Sequence, residues 1–192
     1  MIEPDLIARA RQGDEASWET LVRQHQEAAF RLAYLLVGDA DEAEDVAQEA
    51  FIRAYRALER FDAARPFRPW LLSIAANLAR NRRRSVGRYW AALNRLLRAE
   101  PERITNATDR VAQLSAQQME AQALWQAVRR LDEPDQQVIY LRYFLEMSEA
   151  EAAGTLRIPP GTVKSRLHRA LKRLRVVIER EFPFLREELV DG

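Results

Sequence analysis

The 192-residue chain has no cysteine, which excludes disulfides, thiol catalysis and cysteine-ligated zinc. Glycine and proline are sparse, at six and eight, so long helices are easier to accommodate than a turn-dense β fold. No apolar run approaches the ~18 residues a membrane span needs, and no charged-then-apolar leader follows Met1. The expectation is a cytosolic protein with no membrane span. Net charge is nearly absent too, with 30 basic side chains against 29 acidic ones.

That balance hides separated fields. Six acids and no base lie between Asp39 and Glu49. Nine arginines and no acid lie between Ala63 and Ala99, and eight Lys or Arg stand against Glu179 alone from Arg157 to Arg180. Two basic blocks point to two polyanion contacts, and the acidic block points to a partner of another kind.

Apolar spacing predicts a short helix over Asp5–Arg11 and a longer one from Glu15, whose stripe runs Trp18, Leu21, Val22, His25, Ala29, Leu32, Ala33 and Leu36 to a stop at Gly38. His25 lies on that stripe with no second ligand nearby, so it reads as a packed core histidine. A third helix, Asp41–Glu59, buries Val46, Ala47, Ala50, Phe51, Ala54 and Leu58. Asp41, Asp45, Gln48, Glu49 and Ile52 fall on another of its faces, which taken alone reads as a solvated acidic surface. The acids superficially resemble a calcium loop but lack its central Gly and distal Glu, so no metal site is expected. No cofactor is expected either.

Pro66 and Pro69 mark an ordered loop around Phe67, and a helix resumes at Trp70. Its core face is Leu71, Ile74, Ala75 and Leu78; Asn77, Arg80, Asn81, Arg83 and Arg84 occupy the rest. Basic groups that track phosphates, beside Phe61, Phe67 and Trp70 that can receive unstacked bases, suit single-stranded DNA. The polar stretch from Pro101 to Ser115 reads as a linker.

The C-terminal part begins near Gln118 with a stripe of Leu124, Trp125, Val128 and Leu131. Ser148 with Glu151 forms a capping box, and Leu156-Arg157-Ile158-Pro159 forms a turn. The last helix buries Val163, Leu167, Ala170, Leu171, Leu174 and Ile178. Ser165, His168, Arg169 and Lys172 point away from that stripe, with Lys164, Arg166, Arg173 and Arg175 flanking. A capped helix, a proline turn and a basic helix make a helix-turn-helix, whose second helix enters the major groove.

Together these segments resemble the sigma factors of bacterial RNA polymerase, in particular the small extracytoplasmic-function (ECF) group. GDEASWETLV is similar to the family's opening segment, and DADEAEDVAQEAFIRAYRAL to its helix that docks on the polymerase β′ coiled coil. RFDAARPFRPWLLSIAANLARNRRR resembles the loop and helix that read the −10 element. LDEPDQQVIYLRYF followed by MSEAEAAGTLRIPPGTVKSRLHRALKRLR resembles the domain that reads the −35 element.

The resemblance implies an all-α chain of two small helical domains joined by a polar linker: 1–99 for polymerase docking and −10 reading, 100–117 as linker, and 118–192 as the helix-turn-helix domain. It implies that Asp45, Gln48 and Glu49, with Asp41 and Ile52 on the same face, meet core polymerase. Asp62 and Phe67 would capture an extruded nontemplate base. Asn77, with Arg80, Asn81, Arg83 and Arg84, would contact the −10 element. Thr162, Lys164, Ser165, Arg166, His168, Arg169, Lys172 and Arg173 would read −35. Implied partners are core polymerase, through its β′ coiled coil and β flap, promoter DNA both duplex and single-stranded, and an anti-sigma factor. The chain would be no enzyme, cytoplasmic, and associated with the nucleoid in holoenzyme. It departs from the family at Arg157, where Gly is frequent in the turn, and lacks the paired melting tryptophans. The rival reading is a stand-alone helix-turn-helix regulator, which leaves the first basic block unexplained. An enzyme acting on nucleic acid would need carboxylate pairs near the arginines, and none lie there.

Overall fold

The computed structural model describes residues 2–97 and 116–186, with side chains over 2–84 and 119–185. Among the described residues every regular element is helical: α1 (Glu3–Arg11), α2 (Glu15–Val37), α3 (Ala40–Ala57), α4 (Phe67–Leu97), α5 (Ala116–Arg129), α6 (Glu133–Ile139), α7 (Glu149–Leu156) and α8 (Pro160–Glu181). Short 3-10 turns follow α3 and α8, and a π turn, Tyr140–Phe144, follows α6. The chain is all-α, and among the described residues no helix is long and apolar enough to cross a membrane. Two compact units form, one from Met1–Gly87 with Tyr140–Val163, the other from Arg88–Ile139 with Lys164–Gly192. The chain therefore crosses between units more often than a split at a single linker would require. Most of the expected linker, and the helix extension beyond Gly87, lies outside the described side chains.

In the first unit, α3 makes its most extensive contact with α2. Ala43, Ala47, Ala50 and Ala54 line the buried face of α3, and such small side chains let two helix axes approach closely. Leu21, Leu32, Phe51, Leu71, Leu72 and Ala75 fill the core around them. Gly38 ends α2 in the left-handed conformation, and Asp39 opens α3 by accepting the Glu42 N–H at 2.9 Å. Helix α3 stops two residues short of the expected Glu59 because its last turn tightens into the 3-10 segment Leu58–Arg60. Helix α4 begins at Phe67 rather than Trp70. The Phe67 N–H finds an acceptor in Glu3, so the helix can start before Pro69, whose missing N–H costs nothing in a first turn.

The Tyr140–Val163 part of this unit is fixed to the N-terminal helices through backbone carbonyls. Arg31 donates to Phe144 O and Arg68 to Leu145 O, each at 2.8 Å. The expected capping box is present: Ser148 accepts the Glu151 N–H, and Glu151 accepts the Ser148 N–H at 2.8 Å. The Ser148 backbone bond is the largest cause holding the Glu151 carboxyl below its ordinary range. Arg157 caps α7 at φ 56°, and the Ile158 N–H reaches back to Ala153 O at 3.1 Å. The turn thus uses the left-handed geometry that glycine favours, and a side chain there costs roughly 1–2 kcal/mol.

In the second unit, Ala123, Ala127, Val128 and Leu131 form the buried face of the α5 region, and Ala170, Leu174 and Ile178 that of α8. Leu124, expected on the stripe, is exposed, and Ala123 and Ala127 take buried positions beside the expected Val128 and Leu131. Gln136 Nε2 donates to Leu131 O at 2.6 Å and Arg129 O at 3.1 Å, satisfying carbonyls at the end of α5.

Candidate functional site

Helical spacing sets Asp45, Gln48, Glu49 and Ile52 along one side of α3. They line an open groove of about 540 Å³, closed on its other side by Leu78, Asn81 and Arg82 of α4. Ile52 is 45% exposed, an apolar side chain left in water among acids. Asp41 is exposed one turn N-terminal to Asp45, on the same helix. Arg82 crosses from α4, with Nη2 3.2 Å from Asp45 and Nε 3.8 Å from Glu42. Arg53 donates to Glu49 at 2.7 Å. The groove is therefore acidic, partly neutralised along one wall, and apolar at Ile52.

Arg82 is hidden in sequence inside an arginine run, where periodicity alone does not tell a strut from a free cation. Its neighbours divide differently. Asn77 and Asn81 are exposed on α4, as are Arg83 and Arg84, and Arg80 donates to Asn77 Oδ1 at 3.3 Å. Asn81 belongs to the groove as well as to the arginine face, so the two expected surfaces adjoin.

The loop between α3 and α4 is closed by rings. Phe61 lies 4.4 Å from Trp70 and 5.8 Å from Phe67 by ring centroids, and Trp18 and His25 pack on Phe67 from α2. Phe67, expected to receive a base beside Asp62, is 0% exposed. Its ring offers no face to a base as the loop stands, because closing the loop requires an aromatic in the core beneath it. Phe61 is buried as well, and Trp70, which packs on both rings, is half-buried. Asp62 is exposed, accepts the Ala64 N–H at 3.0 Å and lies 3.4 Å from Arg65, which shapes a local turn.

On α8, Lys164, Ser165, His168, Arg169 and Lys172 are exposed, while Thr162 and Arg166 are half-buried. Arg169 donates to Ser165 O at 3.3 Å along its own helix. Arg173 is different. It pairs with the buried carboxylate of Asp135 and lies 3.8 Å from Asp132. Removing one partner of such a pair leaves a buried charge unsatisfied, so Arg173 holds α8 to α6 before it can serve any DNA contact.

Comparison with known proteins matches two stretches of the chain. Residues 21–89 match the family model for Sigma-70 region 2, and residues 121–174 that for Sigma-70, region 4. The ECF RNA polymerase sigma factor SigW of Bacillus subtilis is 34% identical over 177 residues, covering 88% of this chain and 92% of SigW. The RNA polymerase sigma-H factor of Pseudomonas aeruginosa is 32% identical over 192 residues, covering 96% of each. Among solved structures, CnrH in complex with the cytosolic domain of CnrY superposes with a TM-score of 0.69 at 26% identity, over 93% of this chain and 98% of CnrH. The sigma factor RpoE from Bartonella quintana, in complex with the anti-sigma factor NepR, has a TM-score of 0.63 at 22% identity, over 85% and 97% of the two chains. This last likeness is one of fold alone.

Proposed function

The chain belongs to the ECF sigma factors of RNA polymerase and directs promoter-specific transcription initiation, and we propose that it divides that work among three surfaces. The acidic groove of α3, with Asp41, Asp45, Gln48, Glu49 and Ile52, docks core polymerase. The loop from Asp62 and the α4 face carrying Asn77, Arg80, Asn81, Arg83 and Arg84 engage the −10 element. The α8 face carrying Thr162, Lys164, Ser165, Arg166, His168, Arg169 and Lys172 reads −35. Functionally the chain divides as 1–99, a 100–117 linker and 118–192, a reading supported by the two separate family matches.

One observation carries the docking assignment: Ile52 stands 45% exposed in a groove bordered by Asp45, Gln48 and Glu49. Carboxylates are repelled by phosphates, so this face does not approach DNA. An exposed apolar side chain ringed by charge suits a protein surface of opposite sign. Neither DNA contact is strong enough alone to specify a promoter. Polymerase joins them, so the second contact becomes effectively intramolecular.

Trp70, rather than Phe67, supplies the ring at the loop, and Asp62 supplies acceptor oxygens for an extruded base. Base capture carries an unstacking cost of a few kcal/mol, which loop contacts and the bound polymerase offset. The chain performs no catalysis of its own, since polymerase makes the phosphodiester bonds. It acts in the cytoplasm, with an anti-sigma factor among its partners, the class of partner that NepR is for RpoE.

The test is assembly. Asp45→Arg reverses a charge in the groove and should abolish co-purification with core polymerase while the chain stays folded by circular dichroism. Unchanged assembly sinks the docking assignment.

A further inference from the structure

Helix α1 reaches both ends of the loop that precedes α4. At the entrance, Arg11 Nε donates to Leu58 O at 3.0 Å, and its Nη2 donates to Phe61 O. At the exit, Glu3 Oε2 accepts the Phe67 N–H at 3.1 Å. Glu3 is itself anchored, because its Oε1 lies 3.2 Å from Nε2 of the buried His25 on α2. Each bond answers a local need. Leu58 O already accepts the Phe61 N–H at 3.1 Å and has a second lone pair for the guanidinium, whose fork also reaches Phe61 O just past the turn. The first N–H groups of α4 are orphaned, and a carboxylate there also meets the positive end of the helix dipole.

Between these two anchors the loop is held by a local turn alone, in which Asp62 accepts the Ala64 and Arg65 N–H groups and pairs with the Arg65 side chain. Ala63 and Ala64 carry only methyl groups, and the Asp62 turn fixes Ala64 but not the ends. The rings of Phe61 and Phe67 bring the ends together without fixing the direction in which the backbone enters and leaves. That direction is set by Arg11 and Glu3, which belong to a helix lying before the 21–89 family match.

We propose that α1 is a clamp that preorganises the 62–66 loop for the nontemplate strand, with Glu3 and Arg11 as positioning residues and His25 as the anchor of Glu3. The proposal rests on reading this loop as a −10 contact. A loop that must be ordered at the moment of binding loses affinity by its ordering cost, and a clamped one does not. The clamp residues touch no DNA. They act through the backbone at Leu58, Phe61 and Phe67.

The experiment uses holoenzyme assembled from the full chain and core polymerase, titrated with a labelled single-stranded nontemplate −10 oligonucleotide. Glu3→Ala and Arg11→Ala should each weaken oligonucleotide binding by about tenfold, the scale of one lost hydrogen bond to a charged group. Core assembly and binding of a −35 duplex should stay within about twofold. Amide exchange at 61–67 should accelerate in both variants. Arg11→Lys keeps the charge but loses the fork, and should restore only part of the affinity. Asp62→Ala combined with Arg65→Ala separates the two readings. If that pair weakens the oligonucleotide and the clamp variants do not, the clamp is overturned while the loop assignment stands. If the pair has no effect, the loop assignment fails and takes the clamp with it. Should Glu3→Ala fold poorly, Glu3→Gln keeps an acceptor oxygen without the charge: selective loss of oligonucleotide binding supports the clamp, and parallel loss of core assembly overturns it.

Discussion

The loop from Phe61 to Phe67 and the turn from Leu156 to Pro160 both place proline beside a helix start, yet different parts of the chain hold them. The turn is held mainly from within, with one long-range bond from Arg157 Nη2 to Ser73 Oγ at 3.5 Å. Ser148 and Glu151 cap the helix before it, Arg157 takes the left-handed position, and the Ile158 N–H returns to Ala153. The loop is held from far away, by Arg11 and Glu3 of α1 and by Trp18 and His25 of α2 packed on Phe67. On the proposed reading the turn presents α8 to duplex DNA, which requires a fixed angle between two helices. On the same reading the loop receives a single strand, and its ends are set by bonds from α1 rather than by its own turn.

The largest effect that distinguishes them is expected at Phe67. Phe67→Ala removes the buried ring on which the loop closes and should cost about 3–5 kcal/mol by urea denaturation. A loss below about 1 kcal/mol would mean that the ring is not the loop's foundation. At the turn the corresponding loss is smaller and stays local. Ser148→Ala should cost about 1 kcal/mol, with faster amide exchange limited to residues near the start of α7. Exchange spreading to the Phe61–Phe67 loop would contradict local control.

Arg157→Gly tests the turn from the other side. Relief of the left-handed strain is partly offset by the greater freedom of glycine in the unfolded chain, leaving a gain of up to about 1 kcal/mol. A lowered melting temperature would show that the Arg157 side chain contributes more than its backbone strain costs.

The smallest effect is a pH dependence belonging to the loop alone. Burial pushes the His25 imidazole below its ordinary value near 6.5, against the pull of Glu3, and Arg68 adds to the lowering. The folded chain therefore binds this proton less readily than the unfolded chain. The His25 contribution is complete above about 6.5 and is lost as pH falls through the lowered folded value. Urea midpoints measured from pH 7.5 downward should decline more steeply for the native chain than for His25→Gln. Equal slopes would remove His25 from the account.

The same contrast between local and distant support explains which features are legible in the sequence. The capping box is legible because Ser148 and Glu151 are three residues apart, and the α2 and α3 stripes because a helix repeats its face within a few residues. Gly38 stops α2 where the pattern places the stop, and the acidic face of α3 is visible as a run of charge. Phe67 falls in the expected loop with its ring buried in the core, since a sequence shows that a ring is near a basic block and not which way it faces. The roles of Glu3 and Arg11 are invisible for the same reason: their loop partners lie 47 to 64 residues away. Arg173 resembles the other α8 cations in spacing, and only the fold brings Asp135 beneath it. In each case the missing information is a long-range partner.

On the proposed reading, this chain reads two promoter elements only as part of a polymerase. Transcription in vitro by core polymerase with the purified chain, over a promoter library varied at both elements, tests it most directly. Wild type should give transcripts that require both elements. Arg169→Ala should lower the output of −35-dependent promoters by roughly 1–3 kcal/mol in apparent affinity, with no further loss where −35 is already scrambled. Equal loss on scrambled promoters, or tight sequence-specific duplex binding by the free chain without polymerase, would contradict the account.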